Sequence, residues 1–214
     1  MKHFKNSRTN EELNRLCLKI KNDFSNQISK TILVLSCNEG EGTSTIAVNL
    51  SRIFSQEINS TTLLINANLR NYELDKVFKL KKMPGLTDLI SNDIEFRDAI
   101  KKSAIENLYI LNAGKRVSNP KTILDSRALG QYIEKFKKHY QFIIIDSAPI
   151  IPYSDSLIVA SKVDIVLLII EAEKTRWEVA QEAVKKLSAA GVEVFGIILN
   201  KKRYYIPNIL YKRL

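Results

Sequence analysis

A glycine-rich segment of the 214-residue sequence has the residue types and the setting of an anion-binding loop. An apolar, β-branched run over residues 31–36 precedes it, and a helix-like pattern over residues 44–56 follows it. In such a strand, loop and helix unit, backbone N–H groups and the positive end of the helix attract a phosphate group. The loop residues are Gly40, Glu41, Gly42, Thr43, Ser44 and Thr45.

The charges around this loop do not suit a polyanion. A P-loop NTPase carries lysine at the position of Thr43 and, next to it, a hydroxyl for Mg²⁺, which is retained here as Ser44. No lysine occurs within residues 31–75, whereas Glu39 and Glu41 flank the first glycine. A glycine pair after a strand is as often a tight turn as a ligand site, so the loop alone leaves both interpretations open.

The elements that must position this loop alternate between apolar runs and helical patterns. Strands are predicted over residues 31–36, 62–65, 108–111, 142–145, 165–170 and 194–199. Helices are predicted over residues 11–23, 44–56, 126–138 and 177–189. Apolar strands separated by helical patterns indicate a mostly parallel sheet with helices on both faces. The sequence therefore predicts a doubly wound α/β fold, in which Trp177 is expected to be a packing residue.

Composition favours a single domain over residues 1–214, with a docking helix over residues 1–24 and a basic, aromatic tail over residues 201–214. Hydrophobic residues make up 45% of the sequence and charged residues 26%, which is enough for one sizeable core. The sequence has no run of about 18 apolar residues and no signal-like start, so we expect a cytoplasmic protein.

The net charge and the two cysteines limit which partners and ligands are expected. The formal charge of +10, half of it in the tail, favours an acidic partner such as an anionic membrane, or a solvated basic surface. Nothing resembles a base-reading motif, so no nucleic-acid partner is expected. Cys17 and Cys37 are interpreted as structural, because only His3 and His139 accompany them and no metal-ligand spacing results.

Several motifs occur in an order and spacing that resemble the cytoplasmic domain of the bacterial tyrosine kinases that regulate capsule and exopolysaccharide synthesis. They are EELNR (11–15), GEGTST (40–45), LLINANLR (63–70), GLTDL (85–89), IIIDSAP (143–149), SD (154–155) and GIILN (196–200). The resemblance runs from about residue 11 to the end. It implies a P-loop NTPase fold of the MinD/ParA type. Asn38 stands where the related partition and division-site ATPases carry a second lysine, which favours the kinase-like branch.

The resemblance implies ATP and Mg²⁺ as ligands, but three of the family's site positions are substituted. The loop lysine falls on Thr43, and the two aspartates after the second strand fall on Asn66 and Asn68. The aspartate that ends the later apolar strand is retained as Asp146, and the arginine that follows the second-strand motif is retained as Arg70. We therefore expect loop residues 40–45 and Arg70 to bind the nucleotide, and Ser44 and Asp146 to hold the metal. Binding should be weak and catalysis nearly absent, because phosphoryl transfer depends on charge neutralisation.

Both ends of the chain carry further expectations. In the resembled family a Glu-Glu-x-Arg-x-x-Arg helix is implicated in ring contacts, but the arginine positions fall on Asn14 and Cys17. We therefore expect a helix that docks on its own domain, and an oligomer is doubtful. Three interpretations of the tail tyrosines stay open, namely phosphorylation, membrane or partner contact, and packing. These tyrosines are Tyr204, Tyr205 and Tyr211.

The leading functional hypothesis is a catalytically impaired, tyrosine-autokinase-like regulator or adaptor of exopolysaccharide or capsular polysaccharide synthesis and export. Its expected partner is a membrane-spanning polysaccharide co-polymerase or adaptor, or a companion active kinase, at the inner face of the cell membrane. One alternative is an active ATP-dependent protein-tyrosine autokinase that uses substitute residues. Another is a membrane-associated regulator of the MinD/ParA type that localises through its basic tail.

Overall fold

A parallel sheet with helices on both faces organises the chain. The computed structural model describes residues 7–72, 74, 78, 83–91 and 94–202. The strands are β1 (Lys30–Ser36), β2 (Thr62–Asn66), β3 (Ile100–Lys102), β4 (Leu108–Leu111), β5 (Phe142–Asp146), β6 (Ile165–Glu171) and β7 (Gly196–Asn200). The helices are α1 (Ser7–Asp23), α2 (Thr43–Arg52), α3 (Leu86–Ile90), α4 (Phe96–Ala99), α5 (Pro120–Leu124), α6 (Arg127–Lys137), α7 (Asp155–Ala160) and α8 (Trp177–Ala189).

The strand order of the seven-stranded sheet is β3-β4-β2-β5-β1-β6-β7. Every neighbouring pair is parallel except β3 and β4, which run antiparallel. The order places β1 in the interior of the sheet between β5 and β6, so the loop after β1 opens above several strand ends. The predicted doubly wound α/β fold is confirmed, and all six predicted strands occur within one or two residues of their expected bounds.

Two apolar layers cover the two faces of the sheet. Strands β1, β2 and β5 are buried along their whole length, as expected for strands that have helices on both sides. One layer includes Leu33, Leu35 and residues of α6 and α8, and the other includes Ile32, Val34 and residues of α1 and α2. In the second layer Phe54 stacks on Phe142, with ring centroids 3.9 Å apart. The alternation of Ile32 to Leu35 between layers follows from the two-residue period of a strand.

Helix α1 packs on the domain itself through one apolar face. Leu13, Cys17 and Ile20, spaced four and three residues apart, are almost completely buried. The helix contacts α2 and the π-helical turn Ile53–Glu57 that continues α2. Cys17, which falls on one of the resembled family's ring-contact positions, thus faces the core of its own domain.

The edge of the sheet at β7 differs from its centre. Ile197 and Leu199 are 47% and 51% exposed, so β7 alternates between half-buried and exposed residues although its three central residues are all apolar. The prediction that Trp177 is a packing residue is wrong, because the indole is 71% exposed at the first position of α8. The helix is anchored instead by Ala180, Ala183 and Leu187, which are buried.

Two further findings concern the ends of the chain and the membrane. Among the described residues, none of the helices is both long and apolar enough to cross a bilayer. Tyr204, Tyr205 and Tyr211, whose roles are expected from the sequence, lie outside the described residues. Of the tail over residues 201–214, the structure describes Lys201 and Lys202.

Candidate functional site

The loop between β1 and α2 adopts a backbone that depends on its glycines. Gly40 and Gly42 have φ values of +79° and +96°, in the left-handed region that side chains disfavour. A Cβ atom at Gly42 would also lie 2.3 Å from the Nδ2 atom of Asn200, so only glycine fits there. Gly42 is the N-cap of α2 and provides no side-chain cap, and its carbonyl accepts the N–H group of Ile46. The first N–H groups of α2 are therefore available at the loop for an anion.

Glu41 supports this loop from inside. Its side chain is buried, with the residue 2% exposed, and its carboxylate accepts hydrogen bonds from three groups. The donors are the backbone N–H of Cys37 at 2.9 Å, the Nδ2 of Asn38 at 3.2 Å and the hydroxyl of Thr175 at 2.6 Å. Glu41 thus ties the start of the loop to the segment before α8, and its charge is directed away from the loop opening.

The end of β7 holds the loop from the outside. The side-chain amide of Asn200 donates to the carbonyl of Glu41 at 2.8 Å, and the ammonium of Lys201 donates to the carbonyl of Gly40 at 2.6 Å. Lys201 follows β7 with φ at +57°, a conformation that is uncommon for a residue with a side chain. This turn directs the lysine back to the glycine loop.

A cleft of about 390 Å³ opens above the loop. It is lined by Ser36, Glu39, Gly40, Gly42, Thr43, Ser44, Thr45, Asn68, Arg70, Asn71, Ser147, Pro149, Tyr153 and Lys201. Six of the seven residues expected to bind nucleotide are in this lining, and Glu41 is the exception because its side chain is turned inward. The structure therefore brings the glycine loop together with Arg70, which lies after β2.

The two residues expected to hold a metal differ in their access to the cleft. Ser44 lines the cleft, whereas Asp146 is fully buried at the end of β5, beside Asn66 in the register of the sheet. Within the described residues, no group of three or more histidine, cysteine, aspartate or glutamate side chains could hold a metal ion. The cleft wall next to Asp146 is formed by Ser147, which is 1% exposed.

The two asparagines after β2 use their side-chain oxygens to hold the backbone. The Oδ1 atom of Asn66 accepts the N–H of Asn68 at 3.1 Å. The Oδ1 atom of Asn68 accepts the N–H groups of Arg70 at 3.4 Å and Asn71 at 3.2 Å. These are Asx turns, which asparagine and aspartate both form. The amides differ from the family's aspartates in charge rather than in the turn, because a neutral oxygen attracts Mg²⁺ less than a carboxylate does, so the pair of asparagines is a poor fit for the metal.

Four side chains at one side of the cleft contact one another, namely those of Arg70, Asp155, Tyr153 and Glu39. The guanidinium of Arg70 makes a two-pronged ion pair with Asp155, including an Nη2 to Oδ1 contact of 3.2 Å, and this pairing raises the pKa of Arg70. The guanidinium lies 4.1 Å from the ring centre of Tyr153. The hydroxyl of Tyr153 donates to Glu39 at 2.9 Å, which raises the pKa of the phenol. Asp155 is buried, so Arg70 has a buried carboxylate as its ion-pair partner.

A second cleft lies along α6 and has different walls. It measures about 520 Å³ and is lined mainly by long polar side chains, among them Arg127, Lys135, Lys138 and Lys162. Its walls are long charged side chains of α6 and of the segment after α7, with no glycine loop. The smaller cleft above the loop is therefore the better candidate site.

Sequence reasoning missed several residues of the cleft. Ser147 lies within the IIIDSAP motif and Tyr153 lies four residues after it, and their place beyond the end of a parallel strand is the signal that could have found them. Lys201 directly follows the GIILN motif, but its distance from the loop in the sequence concealed their contact. Residues 31–75 lack lysine, and Lys201 shows that the cleft nevertheless has one.

The parallel sheet, the glycine loop after β1 and the helix that the loop caps define a P-loop NTPase fold of the MinD type. A solved structure of the septum site-determining protein MinD from Pyrococcus horikoshii, complexed with Mg-ADP, has a TM-score of 0.69 to this chain. The two are 24% identical, and the match covers 86% of this chain and 76% of that one. Residues 29–190 also match the family model described as an AAA domain.

Two further comparisons define the family within this fold. The tyrosine-protein kinase CpsD of Streptococcus pneumoniae is 32% identical over 192 residues, which are 89% of this chain and 83% of that protein. The solved kinase domain of VpsO is 30% identical with a TM-score of 0.82, and the match covers 94% of this chain and 100% of that one. The chain belongs to the family of bacterial tyrosine-protein kinases, as its motifs predict.

Proposed function

We propose that the chain is a catalytically impaired member of this kinase family that regulates or adapts capsular polysaccharide or exopolysaccharide synthesis and export. The observation that supports impairment is the loss of charge after β2. There Asn66 and Asn68, which carry no charge, replace the family's two aspartates. Thr43 stands at the lysine position of the adjoining loop.

The missing charges are large enough to decide activity. A lysine ammonium about 4 Å from a phosphate charge contributes roughly 4 kcal/mol at an effective dielectric near 20, before desolvation is subtracted. Thr43 contributes none of this energy. A neutral amide lacks the charge that Mg²⁺ favours and cannot accept a proton from a tyrosine hydroxyl. Mg-ATP should therefore bind weakly, and the phosphoryl-transfer rate should be close to zero.

Such a chain would act through protein contacts. The family resemblance suggests a membrane-spanning co-polymerase or adaptor, or a companion active kinase, as the partner. Cys17 is buried in its own domain, so a ring contact through α1 is not available at that position. Exposed Trp177, Ile197 and Leu199 offer apolar surface for other contacts.

The test is phosphotyrosine formation on the purified chain with Mg-ATP, measured by mass spectrometry. The wild type should show none, either alone or with the membrane fraction of its source cell. The matched variant carries Thr43→Lys, Asn66→Asp and Asn68→Asp, and an active relative serves as the positive control. Phosphotyrosine on the wild type would overturn the proposal and favour an autokinase that uses substitute residues.

A further inference from the structure

We infer that the second cleft, which lies along α6, is a docking surface for an extended acidic segment of a partner protein. This α6 groove measures about 520 Å³ and is lined by side chains between Arg127 and Lys138 and by Lys162, which follows α7. The inference goes beyond the proposed function, because it does not depend on the residues of the cleft above the glycine loop.

The α6 groove is separate from the cleft above the glycine loop. The two share no lining residue. Each helix between parallel strands runs back from the carboxyl end of one strand to the amino end of the next. Lys138 and Lys162 shortly precede β5 and β6, so they lie toward the amino ends of the strands, whereas the glycine loop follows the carboxyl end of β1. A segment bound in the groove therefore leaves the other cleft open.

The cations of the α6 groove have no carboxylate partners within the described part of the chain. Arg127, Lys138 and Lys162 line the groove, and none of them forms an ion pair with a described residue. The ammonium of Lys135, also in the lining, lies 4.9 Å from the ring centre of Tyr132 and likewise forms no ion pair there. An acidic ligand would meet four positive charges without breaking an existing ion pair.

The acidic residue in the lining does not balance these charges. Glu134 contacts the ammonium of Lys137 at 3.5 Å, and that ammonium also contacts Asp164 at 3.1 Å. Neither Lys137 nor Asp164 lines the groove. The carboxylate of Glu134 thus already has a partner outside the lining, and the excess of positive charge favours an acidic ligand by electrostatic complementarity.

A glycine inside α6 leaves room for the main chain of a ligand. Gly130 is the fourth of the 11 residues of α6, and its φ is not in the left-handed region. A Cβ atom at this position would meet nothing within 4 Å, so neither the backbone conformation nor the packing requires glycine. Glycine inside a helix is less stable than alanine, so the fold alone favours another residue. A partner main chain that approaches α6 closely would account for it.

The length and polarity of the groove suit an extended peptide. A helix rises about 1.5 Å per residue, so Arg127 and Lys138 are about 17 Å apart along α6, which about five residues of extended chain can span. Gln131, in the lining and exposed, has no hydrogen bond to a described residue. Its amide can donate to and accept from the main chain of a peptide.

The same surface lacks the features that a membrane or a nucleic acid would use. A helix that lies on a bilayer needs an exposed apolar face, but none of the exposed large apolar side chains of the described residues is on α6 or in the segment after α7. Stacking on bases needs an open aromatic ring, whereas Tyr132 is half-buried and is not in the lining. Charge without these features favours an acidic protein segment.

The experiment measures fluorescence polarisation of a short fluorescein-labelled peptide of alternating glutamate and serine, titrated with the full chain. The groove variant carries Arg127→Gln, Lys138→Gln and Lys162→Gln. The control variant, Lys21→Gln, Lys102→Gln and Lys185→Gln, removes the same charge from exposed residues of α1, β3 and α8. The groove variant should bind about tenfold more weakly than the wild type and the control variant less than about threefold, and salt should weaken wild-type binding. The same peptide with glutamine for glutamate should not compete.

A further variant, Gly130→Gln, tests the room in the groove without changing the charge. It should weaken peptide binding about fivefold, because its side chain occupies the place of the peptide main chain. Its Tm should equal or exceed that of the wild type, because glutamine favours a helix more than glycine does. The opposite directions of the two effects separate a blocked groove from a damaged fold.

Four results would overturn the inference. They are no peptide binding by the wild type, equal losses in the groove and control variants, wild-type affinity in Gly130→Gln, or tighter groove-dependent binding of phosphatidylserine vesicles or a single-stranded oligonucleotide than of the peptide. The last result would assign the groove to a membrane or to a nucleic acid. None of these results bears on the phosphotyrosine assay, so this inference and the proposed function can fail separately.

Discussion

Replacing Glu41 by glutamine should destabilise the protein far more than the same change two residues earlier. The Glu41 carboxylate accepts three hydrogen bonds inside the loop, whereas Glu39 is exposed and accepts one from Tyr153. Glutamine has nearly the same shape, so it tests the role of the carboxylate without leaving a cavity.

The size of the effect follows from the donors around the carboxylate. Glutamine at position 41 can keep its oxygen toward Asn38 and Thr175, but its NH₂ group must then face the buried N–H of Cys37. The loss of one hydrogen bond to a charged acceptor, and one buried donor left without a partner, costs about 2–4 kcal/mol. In a domain of this size that corresponds to a fall in Tm of roughly 5–15 °C.

Urea unfolding followed by circular dichroism would give the free energy of unfolding for both variants. Glu39→Gln, the matched control, should stay within about 0.5 kcal/mol of the wild type because the side chain is exposed. A change below about 0.5 kcal/mol for Glu41→Gln would refute the assignment of this side chain as the internal support of the loop.

Three further predictions concern stability. Arg70→Met should lower the free energy of unfolding by about 3 kcal/mol, because it leaves the buried Asp155 unpaired. Adding Asp155→Asn should recover most of this loss, and equal losses in the single and double variants would contradict the role of the ion pair. Burial alone would raise the pKa of Asp164, but hydrogen bonds from Thr31 and Lys137 outweigh burial and lower this pKa. The carboxylate therefore stabilises the folded state above a pH of about 4, and this stabilisation is lost as the pH falls through the lower folded pKa. Asp164→Asn should therefore lose about 1–2 kcal/mol at neutral pH, in urea titrations, and a loss that does not shrink in acid would argue against this role. Phe54→Ala should cost about 3–5 kcal/mol in the same assay, and a loss below about 1 kcal/mol would be inconsistent with its full burial against the core.

The sheet was accessible from the sequence because buried parallel strands are uniformly apolar. Strands β1, β2 and β5 have this composition and were predicted within one or two residues. The short antiparallel β3 was missed, since Ile100–Lys102 has neither the length nor the apolar character of a buried strand. The short helices α3, α4, α5 and α7 were also not predicted, because four to six residues are too few to show a helical period.

The chemistry of the site was only partly accessible. The substitutions at positions 43, 66 and 68 could be identified from the motifs, but the use of Asn66 and Asn68 to hold a turn is a property of the folded backbone. Glu39 and Glu41 look equivalent in the sequence, and only the fold shows one outside and one inside the loop. The contact of Lys201 with the loop likewise depends on the pairing of β6 with β7.

Burial at the edge of the sheet was the least predictable feature. Trp177 begins a helix whose pattern is otherwise amphipathic, and a large aromatic side chain is more often packed than exposed. The helix α8 is buried through small residues such as Ala180 and Ala183 instead, so the indole remains outside. Strand β7 is the last strand of the sheet of the described residues, and Ile197 and Leu199 on one of its faces are exposed although both are apolar.

The most direct test of the central claim is the rate at which the purified chain releases phosphate from Mg-ATP. The comparison is with the variant that carries Thr43→Lys, Asn66→Asp and Asn68→Asp. The account predicts a wild-type rate that is indistinguishable from the reaction without protein, and a measurable rate in the restored variant, because lysine and the two carboxylates return the missing charges. A wild-type rate equal to or above that of the restored variant would contradict the claim that these three substitutions impair the site.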